Sequence, residues 1–263
     1  MVTFMLGSHM PSWLAVTDVP MFISRHRLAK RKTFPRALGS WSLDSGGFSE
    51  LSLRGKWTIT PRQYVAEVLR FSQEIGNMKW AAAQDWMCEP AILKQTGLTI
   101  LEHQSRTVCN YLTLREMAPE IPWVPVLQGW RHNDYFNHIG MYDKAGVDLD
   151  KLPLVGLGSV CRRQHTGEIE WLIRQIVTDY GLRLHGFGFK ILGLERVADA
   201  LSSADSMAWS MAARREKPLP GCSHTTCANC LRYALNWRRK LLYRIKSPVQ
   251  GSLFGNMPSV LMS

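Results

Sequence analysis

The chain has 263 residues, 46% of them hydrophobic, which suffices for one buried core and matches the size of a single α/β barrel. Its 32 Lys and Arg residues against 21 acidic ones leave a net charge of +11, pointing to a polyanionic partner, nucleic acid before a membrane surface. No apolar run is long enough to span a bilayer, and the N-terminus lacks the basic, apolar and cleavage segments of a secretion signal, so a cytoplasmic protein is expected.

Residues 13–16 and 21–24 read as short apolar strands. Gly7-Ser8-His9-Met10 has the look of a tag scar, but residues 1–6 precede it and the chain continues, so it reads as native. The run Arg25 to Lys32, completed by Arg36, is basic and reads as a solvated loop or a phosphate-contacting segment. Trp41-Ser42-Leu43-Asp44-Ser45-Gly46-Gly47-Phe48 is a short strand ending in a polar turn, where the glycines permit a tight bend and the close approach of a flat ligand. Thr60-Pro61 opens a helix over 61–74 with apolar residues at helical spacing, closed by Gly76.

A small-residue strand over 80–86 carries Gln84 and Asp85 at its end. Helix 103–117, strand 122–127 ending in Gln128-Gly129, helix 133–144 and strand 152–158 follow. Helix 167–180, strand 184–189, helix 194–201 and strand 204–209 complete the alternation. Alternation of this kind implies a parallel sheet of βαβ units. A doubly wound open sheet would show it too, but no Gly-x-Gly-x-x-Gly follows the first strand. The fold expected is an (β/α)8 TIM barrel, in one domain over 1–263, with an inserted structural zinc-binding element and a basic helix at about 218–246.

Asp44, Asp85 and Asp205 all fall at the ends of expected strands, which form one face of such a barrel. A buried carboxylate is unfavourable unless paired or used, so three on one face point to a site. Asp44-Ser45-Gly46-Gly47-Phe48 resembles the active-site motif of the tRNA-guanine transglycosylases, and Ser49-Glu50-Leu51 is more similar to their DNA-modifying branch, the deazapurine DNA modification proteins of phages and bacteria. The resemblance covers roughly residues 40 to 230 and is most specific at that motif and at Gln128-Gly129.

The resemblance implies a role for each position. Asp205 corresponds to the nucleophilic aspartate, although Ala204 and Ser206 flank it here instead of the family's phenylalanine and cysteine. Asp44 corresponds to the general acid/base. Ser45, Gly46, Asp85, Gln128 and Gly129 correspond to groups that hold the guanine-type base. Gly156-Leu157-Gly158 is similar to the family's main-chain contact, and His185-Gly186-Phe187-Gly188, with Phe187, to the wall of its base pocket.

Cys222, His224, Cys227 and Cys230 are four zinc-type ligands in one short stretch. The family places a distant histidine after its three cysteines; here no histidine follows His224, so Cys230 completes the expected set. Residues 231–246 follow as a basic amphipathic helix, read as a further phosphate-contacting surface. The expectation is a pentosyltransferase that exchanges guanine in DNA for a 7-deazaguanine base of the 7-cyano type, through a covalent aspartyl-sugar intermediate. Action on tRNA and a non-catalytic zinc-containing nucleic-acid binder are the alternatives. Homodimerisation and partner modification proteins stay open.

Overall fold

A computed structural model describes residues 2–246 except Arg162, Gln164 and His165; the expected domain therefore extends past the described residues at 247–263, as does the side chain of Lys246 within the basic helix. The chain opens with β1 (Thr3–Ser8), which pairs in parallel with β2 (Met21–Ser24) so that Leu6, Gly7 and Ser8 lie beside Met21, Phe22 and Ile23. Gly7 and Ser8 are thus built into the sheet, while the expected strand over 13–16 is instead a 3-10 turn, Pro11–Ala15. Pro11 occupies its first position, where the missing N–H is harmless, and Trp13 and Leu14 turn inward together.

A one-turn helix α1 (Arg25–Leu28) leads to β3 (Trp41–Asp44), and α2 (Gly47–Arg54) begins directly after the glycine pair. Gly46 caps it at φ +81°, a left-handed conformation that an L side chain rarely adopts. Helix α3 (Pro61–Ile75) starts on a capping box between Thr60 and Gln63 and ends at Gly76, within a residue of the expected span. Then come β4 (Met78–Ala82), α4 (Pro90–Thr96) and α5 (Ile100–Met117). The strand expected over 80–86 ends at Ala82, so Gln84 and Asp85 stand in the loop beyond it. Neither α2 nor α4 is evident in the sequence, because both are short and offer little apolar periodicity.

The strand expected over 122–127 is broken into β5 (Trp123–Val124) and β6 (Val126–Leu127) at Pro125, which has no N–H to give a ladder. The two halves face opposite neighbours: β5 pairs with β4, and β6 with β7 (Val155–Leu157), which follows α6 (His132–Lys144). Helix α7 (Gly167–Tyr180), β8 (Leu184–Gly186), α8 (Ile191–Val197), β9 (Ser203–Ser206) and α9 (Ala208–Ala213) complete the wall. The strands expected over 184–189 and 204–209 both stop early, after Gly186 and Ser206.

The nine strands of the described residues are all parallel, in the order β5-β4-β3-β2-β1-β9-β8-β7-β6. Since β5 and β6 are halves of one interrupted strand, the nine make eight staves of a nearly closed TIM-like barrel, as expected. Alternation along the strands divides the core. Trp41, Trp209, Tyr64, Tyr111, Tyr135 and Tyr142 are buried in the layer between strands and helices. Met5, Phe22, Trp80, Ala82 and Val124 fill the barrel interior, with Phe187 packed on them. After α9 comes the cysteine segment, with a 3-10 turn at Cys227–Asn229, and then α10 (Leu231–Lys246).

Candidate active site

A cavity of about 570 Å³ opens at the C-terminal ends of the strands. Every stave contributes to its wall: Ser8, Ser24, Asp44, Ala82, Gln128, Gly158, Phe187 and Asp205, in chain order. Of the positions singled out in the sequence, Asp44, Ser45, Asp85, Gln128, Gly158, Phe187 and Asp205 line it. Gly46, Gly129, Gly156 and Leu157 do not. Gly46 supports the turn beside His26, Gly129 packs on Asp134 and Tyr135, Gly156 lies under the Phe187 ring, and Leu157 is buried within the sheet.

One side of the cavity is a connected polar chain. Ser45 Oγ donates to Asp85 Oδ1 at 3.1 Å and accepts from Gly47 N at 3.2 Å. Gln128 Nε2 donates to Asp85 Oδ2, and Gln128 Oε1 accepts from Ser159 Oγ at 2.6 Å. These two partners orient the amide, and its backbone is fixed as well. Gln128 N–H donates to His138 Nδ1 at 2.9 Å, and Gln104 Nε2 donates to Gln128 O at 2.7 Å. Burial holds the His138 imidazole down to about 3, so it stays neutral and can accept. A side chain at Gly158 would collide with the Gln128 amide, its Cβ falling 2.2 Å from Nε2, so only glycine lets the two strand ends meet.

The three aspartates differ in setting. Asp85 is buried, and desolvation, reinforced by the charge of Asp44, pushes its carboxyl up to about 7 despite the Ser45 and Gln128 hydrogen bonds. Asp44 is half-buried at the end of β3, and desolvation raises its carboxyl too, opposed by hydrogen bonds from Ser24 and Gly46 and increased by the charge of Asp205. Asp205 Oδ1 accepts from Gly188 N–H at 2.8 Å. The cavity wall therefore carries Asp44 and, just past the neighbouring stave, Asp85 braced by an amide and a hydroxyl, with Asp205 on β9, beyond β2 and β1. Such a set can bind the donor edge of a flat heterocycle and, next to it, attack or protonate a reacting centre.

Further wall residues escape the sequence reading: Ser8, His9, Ser24, Glu89, Ser159 and Cys161, while His26 and Arg27 join the wall from the basic run. Misplacing the first strand hid Ser8 and His9; the rule that a stave ends in a functional residue would have found Ser24. The basic run also divides. Arg25 is buried and bound to Glu50 and Glu67, which removes it from phosphate contact, whereas Arg27 is exposed at the cavity. Arg36 donates to the last carbonyls of α3, Gln73 O and Glu74 O.

Cys222, His224, Cys227 and Cys230 are brought together with their ligand atoms within 4.8 Å of one another, a set that could hold a metal ion. Cys222 Sγ and Cys227 Sγ are 3.9 Å apart. Thiolates about 2.3 Å from a tetrahedral zinc stand roughly 3.8 Å from each other, so the spacing fits. The cluster's segment touches the cavity wall through Asn229, whose Oδ1 meets His9 Nε2, and it is tied to α9 by Ser210, which donates to Ala228 O at 2.9 Å. Helix α10 then runs back along β1: Arg238 donates to Phe4 O near the strand's start, so Arg239 and Lys240 lie toward the barrel's far end.

The family model DpdA, DeoxyPurine in DNA protein A, matches residues 1–254 of the chain. No curated protein matches it.

Proposed function

The chain belongs to the DpdA family, the DNA-guanine transglycosylases of the tRNA-guanine transglycosylase superfamily, and on that footing we propose that it exchanges guanine in DNA for a 7-deazaguanine base of the 7-cyano type through an ester between Asp205 and the sugar. The observation that carries this reading is the gathering of Asp44, Asp85 and Asp205 around one cavity at the C-terminal face of the barrel.

Each group has a task in that reaction. Asp205 attacks C1′ of the deoxyribose, and the electrons of the C1′–N9 bond leave with guanine. Asp44, its carboxyl raised by burial, supplies a proton to the departing base. The deazapurine then enters, gives its N9 proton to Asp44 and attacks C1′, which frees the Asp205 carboxylate. Asp85 accepts from the N–H donors on the base's edge, and the remaining amide hydrogen of Gln128 serves its carbonyl. Phe187 and Met87 supply apolar wall to the slot. A guanine stacked in a duplex cannot reach this depth, so the target nucleotide enters flipped out or single-stranded. Zinc on the four ligands, when bound, cross-links the segment beside His9.

The test is exchange itself. The protein is incubated with DNA and, separately, with tRNA, each with a labelled 7-cyano-7-deazaguanine, and the products are digested to nucleosides. Label in the deoxynucleoside pool is the expected result. Label in tRNA alone, or in neither, would sink the reading.

A further inference from the structure

Beneath the cavity floor, inside the barrel, lies a buried imidazole that the chemistry above leaves unused. His185 on β8 has no solvent exposure. Its ring meets Trp80 and Phe187 edge-on, with centroids 4.7 and 4.8 Å away, and tilts on Phe22 at 5.4 Å. Nδ1 lies 2.8 Å from Ser203 Oγ. Nε2 has no hydrogen-bond partner, yet it stands 3.4 Å from Asp205 Oδ1. That same Oδ1 takes the Gly188 N–H, and no described contact is made by Oδ2.

We propose that His185 is a positioning residue for Asp205: together with the Gly188 N–H it holds Oδ1, so that Oδ2 faces the sugar as the attacking oxygen. The inference rests on the reading of Asp205 as nucleophile. The Ser203 hydroxyl, donating to Nδ1, leaves the ring proton on Nε2. The other tautomer would aim the lone pair of a buried Nε2 at a carboxylate oxygen 3.4 Å away, which is the worse arrangement. In the ester, Oδ2 is bonded to C1′ and Oδ1 is the carbonyl oxygen. When the incoming base breaks that ester, negative charge returns to the carboxylate, and two donors at Oδ1 favour its departure. A short approach of 3.4 Å closes to a hydrogen bond with a shift of a few tenths of an ångström.

Three variants of the full chain test this against Asp205→Asn. His185→Phe keeps a flat ring among Trp80, Phe22 and Phe187 but removes both nitrogens. His185→Gln keeps an N–H donor, and Ser203→Ala keeps the imidazole and releases its tautomer. Base exchange is measured as kcat and as KM for the deazapurine, with the covalent adduct followed on denaturing gels. His185→Phe is expected to lose roughly 10- to 100-fold in kcat, with KM changed by less than about threefold. His185→Gln is expected to regain much of that loss, and Ser203→Ala to fall between. Wild-type kcat in His185→Phe, or equal losses in the Phe and Gln variants, overturns the proposal. Should His185→Phe fail to fold, Ser203→Ala decides, since it leaves the packing intact: undiminished kcat there overturns it. Failure of the underlying reading looks different, for then Asp205→Asn itself forms adduct or exchanges base.

Discussion

Asp44 and Asp205 occupy the same cavity, and their separate tasks can be told apart by what accumulates. Asp205→Asn keeps the shape of the side chain but removes the attacking charge. Exchange is expected to fall by several orders of magnitude with no adduct under any condition, whereas Asp44→Asn loses about 10²–10⁴-fold yet still accumulates adduct slowly. Adduct trapped on Asp205→Asn would place the nucleophile elsewhere. Asp85 makes a prediction about pH. Its carboxyl, raised to about 7 chiefly by burial, must be ionised to accept from the base. Base affinity should therefore strengthen as pH rises through about 7. Stability moves the other way: between the ordinary carboxylate value and about 7 the folded chain holds a proton that the unfolded chain has lost, so this group favours folding at acid pH and opposes it above 7. Asp85→Asn, neutral at all pH, should flatten the pH profile of base binding and narrow the drop in Tm on going from pH 5 to pH 8. A variant whose binding retains the wild-type pH profile would clear Asp85 of the role.

At the scale of elements, the site was legible where a strand end coincides with unusual local chemistry. The glycine pair after Asp44 stands out in the sequence as a tight turn, and the Gln128-Gly129 corner through its resemblance to the transglycosylases. Ser24 and Ser8 carry no such mark: Ser24 stands beside Asp44 through the register of β2 on β3, and Ser8 comes to the side of Asp205 only because β1 pairs with β9. Asp85 was legible as a residue but not as an element, since it sits in a loop beyond β4, held by Ser45 and Gln128 from distant parts of the chain. His185 was legible only as part of a segment resembling the base-pocket wall; its place beside Asp205 appears once β8 and β9 are paired. The cysteine cluster was legible in full, its four ligands being local. Loaded protein is expected to contain about one zinc per chain. Cys227→Ser, at the one buried ligand, should lower both metal content and Tm, the latter by roughly 5 °C or more, while the barrel's circular dichroism persists below the transition. Metal-free wild-type protein with unchanged Tm would remove the site from the fold's support.

Across the whole molecule, the net charge of +11 says that a polyanion is favoured but not where it lies. The fold distributes that charge unevenly. Arg25 is neutralised by Glu50 and Glu67, Arg174 by Glu170 and Asp199, and Arg244 by Glu195. Arg232 is turned onto Pro220 O and Cys222 Sγ. Helix α10 carries Arg239 and Lys240 exposed but runs away from the cavity mouth, while Arg27 stands at the mouth itself. A DNA strand that delivers a nucleotide into the cavity is expected to pass its phosphates close to Arg27, which lines it. The logarithm of DNA affinity should fall linearly with the logarithm of salt concentration, each phosphate contact adding about 0.7 to 0.9 to the slope. Arg27→Gln should reduce that slope by nearly one contact and weaken binding across sequences, whereas Arg239→Gln should leave it nearly unchanged. Fluorescence anisotropy on single-stranded and duplex DNA at several salt concentrations measures both. The reverse order, with Arg239 carrying the salt dependence and Arg27 none, would put the DNA on the α10 side of the barrel and away from the three carboxylates.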